Sequence, residues 1–332
     1  MFERFRSAPN AKAVTGAIYN GFWRLCKQNK LPTKWSGPAP MVSSFIDTLA
    51  NLSQARGHIF IEGFRMLIVQ ISDLHISSPN TDTYGHAPMA DKLQQCVDHI
   101  NQFNPKPDVV LVSGDICDSG ALDQTTRAAE ILNQLTIPYY VIAGNHDLRQ
   151  TMFETFGREH CPARDDQFLQ YVIDGFDVRM IGLDSVIPGK SGGEMCDDRV
   201  QWLDEQLALE PEKPTVLFLH HPPFKFSVPE TDEDGFLGSD AFGDVVEKYS
   251  NIKRVMCGHI HLLTHASWRG TIVSTAPSMG MQLDLDLSMT KPSGFVLTDP
   301  AYLVHHWTPQ KNLITHTITV RDYDGPFPFA AI

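Results

Sequence analysis

No stretch of this chain approaches the about 18 consecutive apolar residues that a membrane-spanning helix requires, although 42% of its 332 residues are hydrophobic. The N-terminus also lacks the continuous apolar segment of a secretory signal. Cysteine is sparse and scattered: Cys26, Cys96, Cys117, Cys161, Cys196 and Cys257 form no Cys-x-x-Cys pair. That spacing makes a poor thiolate zinc site and a poor disulfide framework, so free thiols in a reducing cytoplasm are expected. No internal repeat or low-complexity segment is present, which excludes a solenoid. Positive charge is scarce over most of the chain. Residues 1–65 hold nine Lys/Arg against Glu3, Asp47 and Glu62, a balance of +6, which leaves 18 − 36 = −18 for residues 66–332 and −12 in all. An acidic body offers no basic stripe to neutralise nucleic-acid phosphates, so no nucleic-acid partner is expected.

The chain divides into two regions. Residues 1–65 are expected to be a basic N-terminal extension, poorly ordered or an early-called start, because Met66 stands directly before the first strand pattern. From Met66 onward the sequence alternates. Leu67–Ile71, Asp108–Val112, Tyr139–Ala143, Thr215–Leu219 and Ile252–Cys257 read as strands. Between them, Ala90–Phe103, Ala121–Leu135, Leu148–Phe156, Arg199–Leu209 and Asp240–Tyr249 read as helices. Gln170–Ile173 and Val178–Leu183 flank Asp174-Gly175, a hairpin signal. Further strands are predicted near Thr271–Thr275, Gly294–Thr298, Tyr302–Trp307 and Leu313–Val320. Alternating α and β with a β-rich end predicts mixed sheets covered by helices.

The chemistry gathers where these strands end. Asp73-Leu74-His75 follows the first, Gly114-Asp115 the second and Gly144-Asn145-His146-Asp147 the third. His220-His221-Pro222-Pro223 and Gly258-His259-Ile260-His261 follow the two later ones. Singly each has a bland reading, as a turn cap or a surface histidine. Jointly, five strand ends carrying Asp, His and Asn point to a two-metal phosphoesterase. Two divalent ions about 3.5–4 Å apart need shared and terminal ligands, and carboxylate, imidazole and amide oxygen suit Mn, Fe, Zn or Co. Such ions would also attract phosphate locally into an acidic body that repels it at long range. In Asp73-Leu74-His75, side chains at i and i+2 of an extended segment would face one ion, and His259 and His261 could serve one ion each. His305 and His306 lie far from any motif and read as structural or solvated. His86, with Tyr84, is a candidate for lining a substrate cleft. The acidic run Pro229 to Asp234 reads as a solvated charge run rather than a lid.

The series Asp-x-His, Gly-Asp, Gly-Asn-His-Asp, His-x-Pro and Gly-His-x-His resembles the calcineurin-like metallophosphoesterase superfamily over essentially all of residues 66–332. It is most similar to the branch holding class III cyclic-nucleotide phosphodiesterases and bacterial glycerophosphodiesterases. The resemblance implies a four-layer α/β/β/α sandwich of the metallo-dependent phosphatase type and two divalent metal ions. It implies that Asp73, His75 and His261 bind the first metal, that Asp115 bridges, and that Asn145, His220 and His259 complete the second site. His220 rather than His221 is implied because it stands two before a Pro. His146 would face the substrate, stabilising phosphoryl oxygens or protonating the leaving group, and Asp118 would orient it. The implied reaction is in-line attack of a metal-bridging hydroxide on a small phosphodiester, a 3′,5′-cyclic nucleotide or a glycerophosphodiester. Relatives of this branch often form homo-oligomers. A phosphomonoesterase, a pyrophosphatase, a nuclease of the same superfamily and a non-catalytic scaffold are the alternatives. Specificity is expected in the loops Thr81–Met89, Phe224–Gly238 and Met279–Ser293.

Overall fold

The computed structural model describes residues 66–164 and 167–329; the expectations for residues 1–65 lie outside the described residues. Strand β1 (Met66–Ile71), helix α1 (Met89–Gln102), strand β2 (Val109–Val112), helix α2 (Leu122–Leu132), strand β3 (Tyr139–Val141) and helix α3 (Arg149–His160) alternate strictly. The hairpin of β4 (Tyr171–Ile173) and β5 (Arg179–Gly182) follows. Next come β6 (Gly193–Glu194), α4 (Asp197–Leu209), β7 (Thr215–Phe218), α5 (Pro229–Asp232), β8 (Phe236–Leu237), α6 (Ser239–Lys248) and β9 (Ile252–Cys257). The β-rich end holds β10 (Thr264–Trp268), β11 (Thr271–Thr275), β12 (Met281–Leu283), β13 (Phe295–Leu297), β14 (Ala301–Trp307) and β15 (Leu313–Thr319).

Two mixed sheets result, one in the order β15-β14-β1-β2-β3 and one in the order β10-β11-β9-β7-β5-β4. Their parallel centres are β1, β2 and β3 in the first, and β5, β7 and β9 in the second. Strands covered on both faces read as continuous apolar runs, and β1, β2 and β7 are buried at every residue. Helices cover the outer faces. In α1, Leu93, Cys96, Val97 and Ile100 are buried at the i, i+3, i+4, i+7 spacing of one helical stripe. On the other side α4 and α6 are tied by Lys248 to Asp204 at 2.7 Å. This is the mixed α/β, four-layer arrangement of the metallo-dependent phosphatases.

A polar seam joins the sheets. Gln70, fully buried in β1, donates from Nε2 to Ser113 Oγ and to the Cys257 carbonyl, both at 2.9 Å. Its Oε1 lies 3.1 Å from His305 Nε2, and His305 Nδ1 lies 2.8 Å from Thr315 Oγ1. Every one of these groups is satisfied, which is the condition for keeping polar atoms between two apolar sheets. His305 is therefore a buried structural residue. Cys96, Cys117, Cys161, Cys196 and Cys257 are free. Among the described residues no helix is long and apolar enough to cross a membrane.

The strand limits differ from expectation mainly at the sheet margins. β10 and β12 have no apolar run to mark them; β10 reads Thr-His-Ala-Ser-Trp and alternates between half-buried and exposed positions at the edge of its sheet.

Candidate metal centre

The carboxyl ends of β1, β2, β3, β7 and β9 meet where the two sheets adjoin, and each strand gives way there to one of the motif loops. In open α/β sheets that edge is the common ligand position. Main-chain bonds brace the loops against one another. Asp73 N donates to the Gly114 carbonyl at 3.1 Å, His75 N to the Asp115 carbonyl at 2.9 Å, and Gly258 N to the His220 carbonyl at 2.9 Å. Two glycines are dictated by this crowding. A Cβ on Gly144 would lie 2.2 Å from Asp115 Oδ1, and one on Gly258 would lie 2.0 Å from Ser72 Oγ and 2.8 Å from Asp73 Oδ2.

Asp73, His75, Asp115, His259 and His261 all have left-handed backbone, with φ of 54°, 43°, 49°, 74° and 53°. The extended i, i+2 geometry expected for both Asp-x-His and His-x-His is therefore not how these side chains converge. Each such non-glycine residue costs about 1 kcal/mol or more, and that strain clusters at functional sites. The left-handed turns let each loop fold back so that both of its polar side chains reach the same centre.

The convergence has Asp115 at its middle. Its Oδ2 lies 3.6 Å from His75 Nε2 and 3.2 Å from His220 Nε2. On one side His75 Nε2 and His261 Nε2 approach to 3.0 Å, and His261 Nε2 lies 3.5 Å from Asp73 Oδ1. On the other, Asn145 Oδ1 lies 3.2 Å from His220 Nε2 and 3.1 Å from His259 Nδ1. Asp73, His75, Asp115 and His261 bring their donor atoms within 4.8 Å of one another. Imidazole orientation is fixed from behind: His220 Nδ1 donates to the Ser113 carbonyl at 2.8 Å and His261 Nδ1 to the Met281 carbonyl at 2.7 Å. A carbonyl can only accept, so in the neutral ring Nε2 is left as the lone-pair nitrogen facing the centre, the arrangement that a metal-ligating histidine needs.

The electrostatics fit a cation. Burial works against ionisation of Asp115, yet the facing His220, His75 and His146 overcome it and hold its carboxyl well below the ordinary range. Burial lowers His75 well below its usual value, and burial with the charge of His220 lowers His259 to about 3, so both rings are neutral and able to ligate. Burial opposes protonation of His220, but Asp115 outweighs it and raises the ring to about 9, so a cation bound beside Asp115 would take the place of that proton before Nε2 could ligate. Asp73 Oδ2 is buried with no hydrogen-bond partner. A buried carboxylate oxygen without a donor is costly unless it meets a cation. Carboxylates, imidazoles and one amide oxygen around these points therefore fit two divalent ions.

The residues beside the centre each have their own partners. His221, although close to His220 and His259, has both ring nitrogens engaged, Nδ1 with Ser185 Oγ at 2.8 Å and Nε2 with the Ser191 carbonyl at 3.0 Å. It anchors the Gly192-Gly193 segment. His146 donates from Nδ1 to Asp118, but to its main-chain carbonyl, at 2.6 Å, rather than to its carboxylate. The His146 ring packs edge-on to His75 at 4.7 Å, and His146 N donates to Asp115 Oδ1 at 2.9 Å. Tyr84, rather than His86, lines the cavity beside His261, together with Thr231, Met281, Leu283 and Ser293, so the three loops singled out for specificity supply this wall.

Two acidic residues have roles that sequence reasoning missed. Asp147, the last residue of the Gly-Asn-His-Asp motif, is buried and accepts from Ile116 N at 3.1 Å, Cys117 N at 3.0 Å and Gly144 N at 2.8 Å. It stitches the Asp115 loop to the Asn145 loop. Asp234, itself exposed, has Oδ2 at 3.9 Å from His259 Nε2 and Oδ1 accepting from Ser191 Oγ. Asp147 carried a signal in its motif; Asp234 is indistinguishable in sequence from the other acidic residues of its run.

Residues 66–263 match the family model described as calcineurin-like phosphoesterase. The chain belongs to that family. It is 37% identical over 265 residues to a protein of Arcobacter nitrofigilis named probable glycerophosphodiester phosphodiesterase GpdQ, covering 80% of this chain and 97% of the relative. With the glycerophosphodiester phosphodiesterase GpdQ of Enterobacter lignolyticus it shares 31% over 264 residues, 79% of this chain and 94% of that one. With the 3′,5′-cyclic adenosine monophosphate phosphodiesterase CpdA of Pseudomonas aeruginosa it shares 28% over 196 residues, 59% and 70% of the two chains. Among solved structures, the purple acid phosphatase PPD1 of yellow lupin aligns with a TM-score of 0.57 at 14% identity, over 78% of this chain and 52% of that one. At such identity this likeness speaks for the calcineurin-like fold alone.

Proposed function

We propose that this calcineurin-like phosphoesterase is a metal-dependent phosphodiesterase of small diesters, glycerophosphodiesters foremost, acting in the cytoplasm. Asp73, His75, Asp115 and His261 would hold one divalent cation, and Asp115, Asn145, His220 and His259 the other, drawn from Mn, Fe, Zn or Co. The observation that carries this is the convergence on Asp115 Oδ2 of two imidazoles, His75 and His220, within 3.6 and 3.2 Å. Relatives named as glycerophosphodiester phosphodiesterases align over nearly their whole lengths, 97% and 94%, which supports that substrate class ahead of cyclic nucleotides.

Two divalent ions at such a site supply Lewis-acid polarisation of the phosphoryl oxygens and an activated water. The protein's own contribution is positional. Asp147 and the main-chain braces hold the two ligand loops at a fixed separation, so little rearrangement is needed as charge builds on the phosphoryl group. His146 has Nδ1 committed to the Asp118 carbonyl, which leaves Nε2 to meet the substrate. Burial opposes protonation of His146, but Asp115 and the Asp118 carbonyl outweigh it and raise its pKa, so the imidazolium form suits proton donation to a departing alkoxide.

The test is turnover of the Mn-loaded chain on an aryl phosphodiester, an aryl phosphomonoester, cyclic AMP and glycerophosphocholine, repeated after chelation. Diester hydrolysis that vanishes with the chelator and favours glycerophosphocholine is expected. Monoester preference would move the chain to a phosphatase reading, and silence in a folded, metal-loaded chain would remove the enzymatic reading.

A further inference from the structure

A cavity of about 280 Å³ adjoins the centre at His259, between the loop that follows β7 and the segment from Thr231 to Ser239. Phe224, Phe226 and Phe236 line it together with Pro222, Pro223 and Asp232. Two of these rings belong to a stacked series. Phe224 stacks on Trp268 at 5.7 Å with the planes tilted by 20°, and Phe226 stacks on Phe224 at 4.6 Å and 21°. Among the described residues Phe226 has no ring partner but Phe224, so it ends the series, half-buried at the cavity wall. The face of an aromatic ring is electron-rich and attracts a cation held within about 6 Å of its centre.

The donors of the wall narrow the ligand further. Pro222 and Pro223 have no main-chain N–H to offer. Ser239 Oγ donates to the Pro223 carbonyl, Thr231 Oγ1 to the Val228 carbonyl, and Phe226 N to Asp232 Oδ1 at 2.8 Å. Both ring nitrogens of His221 are engaged. Lys225 lines the cavity but is exposed, and from Lys225 to Asp234 it stands against Glu230, Asp232, Glu233 and Asp234, a balance of −3. An anion finds neither free donors nor a favourable field there. A primary ammonium brings three N–H donors and meets one lining carboxylate, already accepting from Phe226 N. A quaternary ammonium has no N–H to satisfy and needs only ring faces and nearby negative charge.

We propose, on the phosphodiesterase reading given above, that this cavity is a subsite for a quaternary ammonium group, with Phe226 as the residue that sets the specificity. His259 belongs both to the cavity and to the centre, so a short arm of a diester held at the centre extends into it. Glycerophosphocholine is then preferred to diesters whose arm is neutral or carries a primary amine.

The experiment compares kcat/KM of the Mn-loaded full chain for glycerophosphocholine and for glycerol 3,3-dimethylbutyl phosphate, the neutral isostere with carbon in place of nitrogen. The two alcohols differ in intrinsic reactivity, so the quantity read is the change in their ratio between wild type and variants. Phe226→Leu, which keeps apolar bulk and removes the ring, is expected to lower the ratio about tenfold. Phe226→Tyr, which keeps the ring, is expected to hold it within about twofold. Equal losses on both substrates, or an unchanged ratio, in Phe226→Leu would overturn the subsite while the phosphodiesterase reading stood. Wild type supplies an independent arm, because KM for glycerophosphocholine is expected at least about threefold below that for glycerophosphoethanolamine. An equal or reversed order would overturn the proposal even if neither variant folded. No hydrolysis of any diester, an aryl one included, would sink that reading and the subsite with it.

Discussion

Asp147→Ala is the most informative perturbation of the scaffold, because the damage is countable. The carboxylate takes three main-chain donors, Ile116 N, Cys117 N and Gly144 N, at 2.8–3.1 Å. Alanine would leave all three buried and unpaired, at about 1–3 kcal/mol each. Part of that is offset. Burial, with Asp115 nearby, raises the pKa of Asp147, so the ionised carboxylate is itself costly where it stands. A net loss of roughly 3–5 kcal/mol remains, which in a domain of this size lowers Tm by about 6–20 °C. Asp147→Asn should fall between, since its single carbonyl can keep some bonds while its NH₂ faces donors. The assay is thermal unfolding of wild type and both variants at matched metal concentration and again with chelator, because bound ions stabilise the folded form by mass action. An alanine variant melting within about 2 °C of wild type under both conditions would refute the idea that Asp147 ties the two ligand loops.

Asp234→Asn should weaken binding of the ion held by Asn145, His220 and His259 by about threefold, because the lost carboxylate charge stands 3.9 Å from His259 Nε2, outside hydrogen-bond reach. Competitive titration with a metal indicator would measure this, and unchanged affinity would return Asp234 to the solvated charge run. His305 sets an acid-side limit on stability. Burial, with Arg254 nearby, holds its pKa down to about 3, below the roughly 6.5 of the unfolded chain. Between those values the unfolded state binds a proton that the folded state refuses. Stability is therefore full above about pH 6.5 and falls toward pH 3, by up to about 1.4 kcal/mol per pH unit from this group. His305→Gln should flatten the pH dependence of urea unfolding over that window; an identical slope in the variant would exclude the mechanism.

The centre was legible because its side chains stand at the ends of short, mostly buried and largely apolar strands. Leu67–Ile71 and Val109–Val112 announce themselves, and the polar residues after them can only lie at the sheet edge. Helix α1 was legible from Leu93, Val97 and Ile100 for the same reason. Three features were not. The left-handed backbone at Asp73, His75, Asp115, His259 and His261 runs against the intrinsic preference of every one of those residue types and exists only because the braced loops impose it. Edge strands such as β10 carry exposed polar residues and no continuous core face. The position of Asp234 beside His259 depends on Ser191 and on the β6–β8 pairing, contacts across more than forty positions that leave no local trace.

The most direct single measurement is a titration of the metal-free chain with Mn, reading bound ions and turnover of an aryl phosphodiester on the same samples. Activity that is absent without metal, rises as the second equivalent binds and levels off near about two ions per chain is the expected result. Full turnover by a chelated chain holding no metal would contradict the two-cation centre outright.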